Sequence, residues 1–142
     1  MLRGRCACSS VGYEVADAFS AAFNCHCSNC RALTGSAFLP WGEIEREKLR
    51  VNRGADDLFV DGDPDGMHAM RCRNCWSLLY WTARDGLIRV PYGTLVDAPT
   101  LKPTAHIFVG SKAPWYDILD DLPRHDEYPW PMNAEPASDR FG

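Results

Sequence analysis

The chain lacks any run of about 18 apolar residues, roughly the minimum that crosses a bilayer as a helix. Its opening, MLRGRCACSS, has no apolar stretch of the kind a secretory leader needs. No membrane partner is expected from these absences, and a cytoplasmic location is. Basic blocks are missing too. Lys and Arg number 15 against 19 Asp and Glu, a net charge of −4 with a pI near 5.5. A phosphate backbone is held by clustered cations, so nucleic acid is not an expected ligand. Neither an internal repeat nor a low-complexity tract occurs. Helical patterns are scarce. Residues 43–49 and 27–33 offer a turn or two each, and the mixed charges of the first, with Glu43 and Glu47 on one side, describe a solvated face.

What is there reads as strand. Residues 11–15, 22–25, 36–44, 58–62, 67–72, 77–82, 87–93 and 106–110 are short, rich in β-branched and aromatic side chains, and separated by Gly, Asp, Asn or Pro. The expected class is mainly β. The breakers between Asp61 and Gly66 should join two antiparallel strands, and Asp85-Gly86 marks a hairpin. The chain's 142 residues suit one domain, placed at 1–127, followed by a proline-rich tail at 128–142 that cannot serve as a central strand. Trp130 favours docking of that tail as a strap. Trp41, Trp81 and Trp115 are expected in the core, one of them walling a cleft.

Seven cysteines fall into three groups: Cys6 and Cys8; Cys25, Cys27 and Cys30; Cys72 and Cys75. Thiols this closely spaced in a reducing compartment point to metal rather than disulfides. Cys25, Cys27 and Cys30 can meet on one ion from a single loop, whereas each two-cysteine knuckle fills half a tetrahedron. The knuckles therefore pair with each other, across the 63 residues between Cys8 and Cys72. Soft thiolate donors favour zinc, and the spacing does not suit an iron–sulfur cluster. Two closed sites need eight thiolates, so the site at Cys25, Cys27 and Cys30 is one ligand short. Either a histidine (His68, His106 or His125) closes it structurally, or the fourth position is open for chemistry. His26, between two ligands, should point away from the ion.

The segments GRCAC (4–8) with GYEV (12–15), CHCSNCRALTGSAF (25–38), CRNC (72–75) and HIFVGSKAPWYDI (106–118) resemble the family of glutathione-dependent formaldehyde-activating enzymes, which also includes centromere protein V. The resemblance implies a β-tent fold of short antiparallel sheets with zinc-binding loops and little helix. It implies two zinc ions per chain: a structural one held by Cys6, Cys8, Cys72 and Cys75, and a catalytic one held by Cys25, Cys27 and Cys30; that second site is expected to be exposed and its metal labile. It also implies a carbon–sulfur lyase or synthase whose substrates are a small-molecule thiol, glutathione or a similar one, and an aldehyde, forming S-hydroxymethylglutathione. Arg31 and Lys112 are then candidate anchors for a substrate carboxylate, and His106 a substrate-side or proton-carrying group. The alternative is a zinc-stabilised binding module without chemistry, or a thiol or metal sensor. The chain departs from the family pattern at Ser9 and Trp76, where glycine is usual. An aromatic side chain resists a positive-φ turn, so the turn is expected to differ there.

Overall fold

Among the described residues, ten strands of two to seven residues are separated by turns rich in Gly, Asp and Pro, and one short helix follows the third strand. In chain order these are β1 (Leu2–Arg5), β2 (Gly12–Val15), β3 (Ala21–Cys25), α1 (Ser28–Thr34), β4 (Leu39–Glu45), β5 (Leu49–Arg53), β6 (Leu58–Gly62), β7 (His68–Cys72), β8 (Leu78–Thr82), β9 (Leu87–Pro91) and β10 (His106–Ile107). The computed structural model describes residues 1–130. Among these residues the strands form two sheets, one in the order β1-β2-β5 and one in the order β10-β3-β4-β9-β8-β7-β6. The mainly β class is as the sequence implies.

The turn signals act where the residues place them. Asp63 to Gly66 links antiparallel β6 and β7, and Asp85-Gly86 links antiparallel β8 and β9, with Gly86 at φ 82°. Two expectations are corrected, and two strands were not foreseen. Residues 43–45 complete β4 instead of opening a helix, and only Arg46–Lys48 makes a 3₁₀ turn. β5 was hidden because Leu49 and Val51 alternate with Arg50 and Asn52, a period-two pattern that mixed charges disguise. Four-residue β1 was also unforeseen. The strand at 106–110 shrinks to His106–Ile107 because Phe108 turns into the left-handed region at φ 55°. Its pairing with β3 is parallel, unlike the antiparallel neighbours elsewhere in that sheet.

The large sheet buries both faces, and each face has its own core. On β4, Leu39 and Trp41 project to one side and Gly42 and Ile44 to the other, as strand alternation requires. Ile44, Ile88, Val90 and Leu79 pack with Val11, Tyr13, Val15 and Leu49 of the small sheet, and this core includes Cys6 and Cys72. Gly42 is needed there, since a Cβ would stand 2.6 Å from the rings of Phe19 and Tyr92. Phe23, Leu39, Trp41, Trp81, Ile107 and Phe108 form the second core, which includes Cys25, Cys27 and Cys30. Trp130 docks as its tryptophan suggests, its ring centroid 5.5 Å from that of Phe23, and it stacks on Tyr128. The rest of the tail lies outside the described residues.

Candidate metal centres

Cys6 and Cys8 follow β1, and Cys72 and Cys75 bracket the turn between β7 and β8, so one cluster joins the two sheets. Their sulfurs lie within 4.8 Å of one another, with Cys6 to Cys8 at 3.6 Å and Cys8 to Cys72 at 3.8 Å. Each knuckle is closed by its own backbone: Ser9 N–H donates to the Cys6 carbonyl at 3.1 Å, and Trp76 N–H to the Cys72 carbonyl at 2.8 Å. The Val11 N–H, 3.3 Å from the Cys6 sulfur, supplies a donor of the kind that stabilises thiolate. Ser9 and Trp76 do not alter the turn. Both hold positive φ, 67° and 65°, so the chain keeps the glycine-type geometry with residues that resist it, at a cost of about 1–2 kcal/mol each. The exposed Trp76 ring regains some of this by packing edge-on against Phe59 at 5.1 Å.

The second cluster is local. Cys25 ends β3, Cys27 is the N-cap of α1, and Cys30 lies in its first turn, its N–H donating to the Cys27 sulfur at 3.2 Å. Gly35, at φ 66°, ends the helix by donating to the Arg31 carbonyl. The three sulfurs again lie within 4.8 Å, and among the described residues no histidine or carboxylate joins either cluster. Hydrogen bonds from the Cys25 and Cys30 thiols pull Cys27 down to about 3, and the same bond with Cys27 pushes Cys25 up to about 12. The expected exposure is not found. All three cysteines are 3% exposed, whereas Cys8 of the four-cysteine cluster lies open to solvent.

None of the three candidate histidines closes the trio. The His68 ring bonds to the Asp63 and Gly66 carbonyls, and His125 is not among the groups that gather with the trio. His106, buried on β10, sits in a chain: its Nε2 lies 2.9 Å from Asp120 Oδ2 and its Nδ1 lies 2.7 Å from His26 Nε2. A carboxylate only accepts, so His106 Nε2 carries the proton; in the neutral ring Nδ1 then accepts from His26 Nε2–H. That leaves His26 Nδ1 as an acceptor, and it is buried without a bond. Burial first, then the charges of His106, Lys112 and Arg31, hold His26 at about 4. Arg31 leaves its buried Nε unbonded, while Lys112 Nζ donates to the carbonyls of Ala113, at 2.9 Å, and Tyr116.

Beside Cys25 and Cys30 lies a cavity of about 20 Å³, walled by Trp41, Trp81, Arg89 and Tyr128. Two wider hollows, of about 350 and 380 Å³, do not touch the trio. The expectation that Trp41 and Trp81 are core residues holds, and the same two rings wall the cavity. Trp115 is 69% exposed and fills no core. The sequence reading missed Asp120, Arg89 and Tyr128. Asp120 lies in a loop of several acids with nothing local to mark it, and Tyr128 reads as tail.

Comparison with known proteins gives concordant results. The family model described as glutathione-dependent formaldehyde-activating enzyme matches residues 1–111. A Fusarium vanettenii protein, provisionally named as such an enzyme, is 35% identical over 78 residues, 54% of this chain. The match spans 42% of that relative's length. A Rhodobacter sphaeroides protein of known crystal structure superposes with a TM-score of 0.56 at 25% identity, covering 69% of this chain and 91% of the other.

Proposed function

The chain belongs to the family of glutathione-dependent formaldehyde-activating enzymes, and from that premise we propose that it catalyses addition of a thiol, glutathione or a close relative, to formaldehyde, and the reverse carbon–sulfur cleavage. The observation that carries this reading is the buried trio of Cys25, Cys27 and Cys30, which gathers three thiols and no fourth protein ligand among the described residues. The donor set fits zinc, a soft-tolerant ion that accepts three thiolates and leaves a fourth position. Cys6, Cys8, Cys72 and Cys75 would hold a second, structural zinc. When bound to the trio, zinc supplies a Lewis acid that favours the thiolate form of a substrate thiol at neutral pH.

The protein's own residues do the rest. Arg31 directly follows the last trio cysteine and has guanidinium valence to spare, so it and Lys112 would take the carboxylates of a thiol such as glutathione. Burial keeps His26 uncharged, so no extra cation beside the trio competes for the substrate's carboxylates. His106 and Asp120 would set its orientation and proton position from behind. Water is largely excluded from the trio by the second core, which strengthens each of these interactions.

The test is exchange NMR of glutathione and formaldehyde at equilibrium, read against the spontaneous rate. Zinc-loaded protein should accelerate exchange and a folded Cys27→Ser variant should not. Equal rates with the two proteins would refute the reading and favour a zinc-stabilised binding module.

A further inference from the structure

β6 stands at the outer edge of the large sheet, with β4, β9, β8 and β7 between it and β3, which carries Cys25. Its inner side is fully engaged. All five residues pair with β7 without a register shift, from Leu58 opposite Cys72 to Gly62 opposite His68. The ladder continues past both ends: the Arg73 N–H donates to the Asp57 carbonyl at 2.7 Å, and the Asp63 N–H to the Met67 carbonyl at 3.2 Å. Antiparallel partners alternate between bonded and non-bonded pairs, so Phe59 and Asp61 turn their backbone groups to β7, and Leu58, Val60 and Gly62 turn theirs outward. The Leu58 N–H is taken by the Ala55 carbonyl. The Val60 N–H and carbonyl and the Gly62 N–H face outward, and among the described residues no strand pairs with that side.

Open sheet edges recruit extended chains, and proteins usually blunt them with Lys, Pro or a bulge. Residues 58–62 carry none of these. The charge around them is of one sign: residues 55–66 hold five aspartates and no Lys, Arg or His. Asp56, Asp63 and Asp65 are exposed. The nearby cations are fewer and engaged elsewhere or within the ladder. Arg71 pairs with Asp61 at 3.0 Å, Arg53 donates to the Ser9 carbonyl at 3.1 Å, and Arg84 lies 3.2 Å from the Met67 sulfur, while Arg73 stands opposite Asp57.

The two faces of this edge differ. Phe59 and Asp61 share one face, where the exposed Trp76 ring packs on Phe59 at 5.1 Å, and Val60, itself 42% exposed, lies on the other. An added antiparallel strand sets one residue opposite Val60 and that residue's two neighbours opposite Phe59 and Asp61. The first meets an apolar side chain. The neighbours meet an aromatic pair and carboxylates, surroundings that suit a guanidinium. A second copy of β6 would instead bring two acidic segments together, which their charges oppose.

We propose that the outer edge of β6 is a docking site for an extended cationic segment of a partner protein, which adds an antiparallel strand along Val60 and Gly62 and sets a β-branched residue opposite Val60 between two basic ones. The main chain supplies the hydrogen bonds and the alternating side chains supply the selectivity. The site lies across the sheet from the trio and is independent of the chemistry there.

The test uses the zinc-loaded full chain and a fluorescent synthetic peptide, Gly-Arg-Val-Arg-Val-Arg-Gly, followed by anisotropy and by amide hydrogen exchange. In the free protein the Val60 and Gly62 amides should exchange fast and those of Phe59 and Asp61 slowly. Saturable binding should slow Val60 and Gly62 about tenfold or more and should weaken as salt rises. N-methylation of the peptide's valines removes the donors that the Val60 carbonyl needs at unchanged charge, and should abolish binding; so should glutamate in place of each arginine. Asp56→Asn with Asp65→Asn should weaken binding about two- to fivefold per charge removed. Val60→Pro deletes an outward N–H, a position where an edge strand tolerates proline, and should abolish the protection of Gly62. Where that variant does not fold, the N-methylated peptide decides. Absence of saturable binding, or equal binding of the N-methylated or the glutamate peptide, overturns the proposal and leaves the aspartates as guards of the edge against association. A concentration-dependent dimer of the parent that protects the same two amides assigns the edge to a second copy and likewise overturns it.

Discussion

Ser9 and Trp76 occupy backbone positions that suit glycine, and the metal knuckles hold them there. Ser9 is exposed, and the Arg5 guanidinium donates to its hydroxyl at 3.1 Å. Ser9→Gly should therefore relieve about 1–2 kcal/mol of left-handed strain against about 0.4–1 kcal/mol of added chain entropy when unfolded. A net gain of about 0.5–1 kcal/mol is expected in denaturant unfolding of the metal-loaded protein. Trp76→Gly should gain less, because it also loses the edge-on contact with Phe59. A loss of stability in Ser9→Gly would mean that the serine hydroxyl supports the cluster more than the backbone strain opposes it.

At the scale of elements, Arg89 ties together parts that the sheet alone holds only by backbone bonds. It stands opposite Glu43 on β4 and Trp81 on β8, and grips Asp85 in the turn before β9. Its side chain is 6% exposed and that of Glu43 13%. Arg89→Met leaves the Glu43 charge buried and unpaired, and should cost about 3–5 kcal/mol in urea unfolding, whereas an exposed pair such as Arg50–Glu14 should cost at most about 1 kcal/mol when broken. The strands that form these elements were legible wherever β-rich runs met Gly, Asp or Pro. β5 was not, because its charges imitated a helical surface, and β10 was overlong because the apolar run Ile107 to Val109 gives no sign that Phe108 leaves the strand. The cysteine groups were legible for a stronger reason: residues two and three apart must be close in space. The chain from His26 through His106 to Asp120, and the approach of Tyr128 to the trio, depend on loop paths that no local spacing encodes.

Over the whole molecule, the two cysteine clusters belong to different cores on opposite faces of one sheet. The four-cysteine cluster connects the small sheet to the large one, so its metal would contribute folding free energy, on the order of 10 kcal/mol in small zinc domains. The trio is held by one strand end and one short helix, so its metal can leave with the sheets in place. Stability and chemistry are thus assigned to separate ions. The most direct measurement is a stepwise zinc titration of metal-free protein, following near-ultraviolet circular dichroism for folding and glutathione–formaldehyde exchange for activity, in the parent and in Cys27→Ser. The account predicts that the first equivalent restores the fold without catalysis, that the second brings catalysis in the parent, and that Cys27→Ser folds with one equivalent and stays inactive. Catalysis complete at the first equivalent, or a fold that needs both, would contradict it.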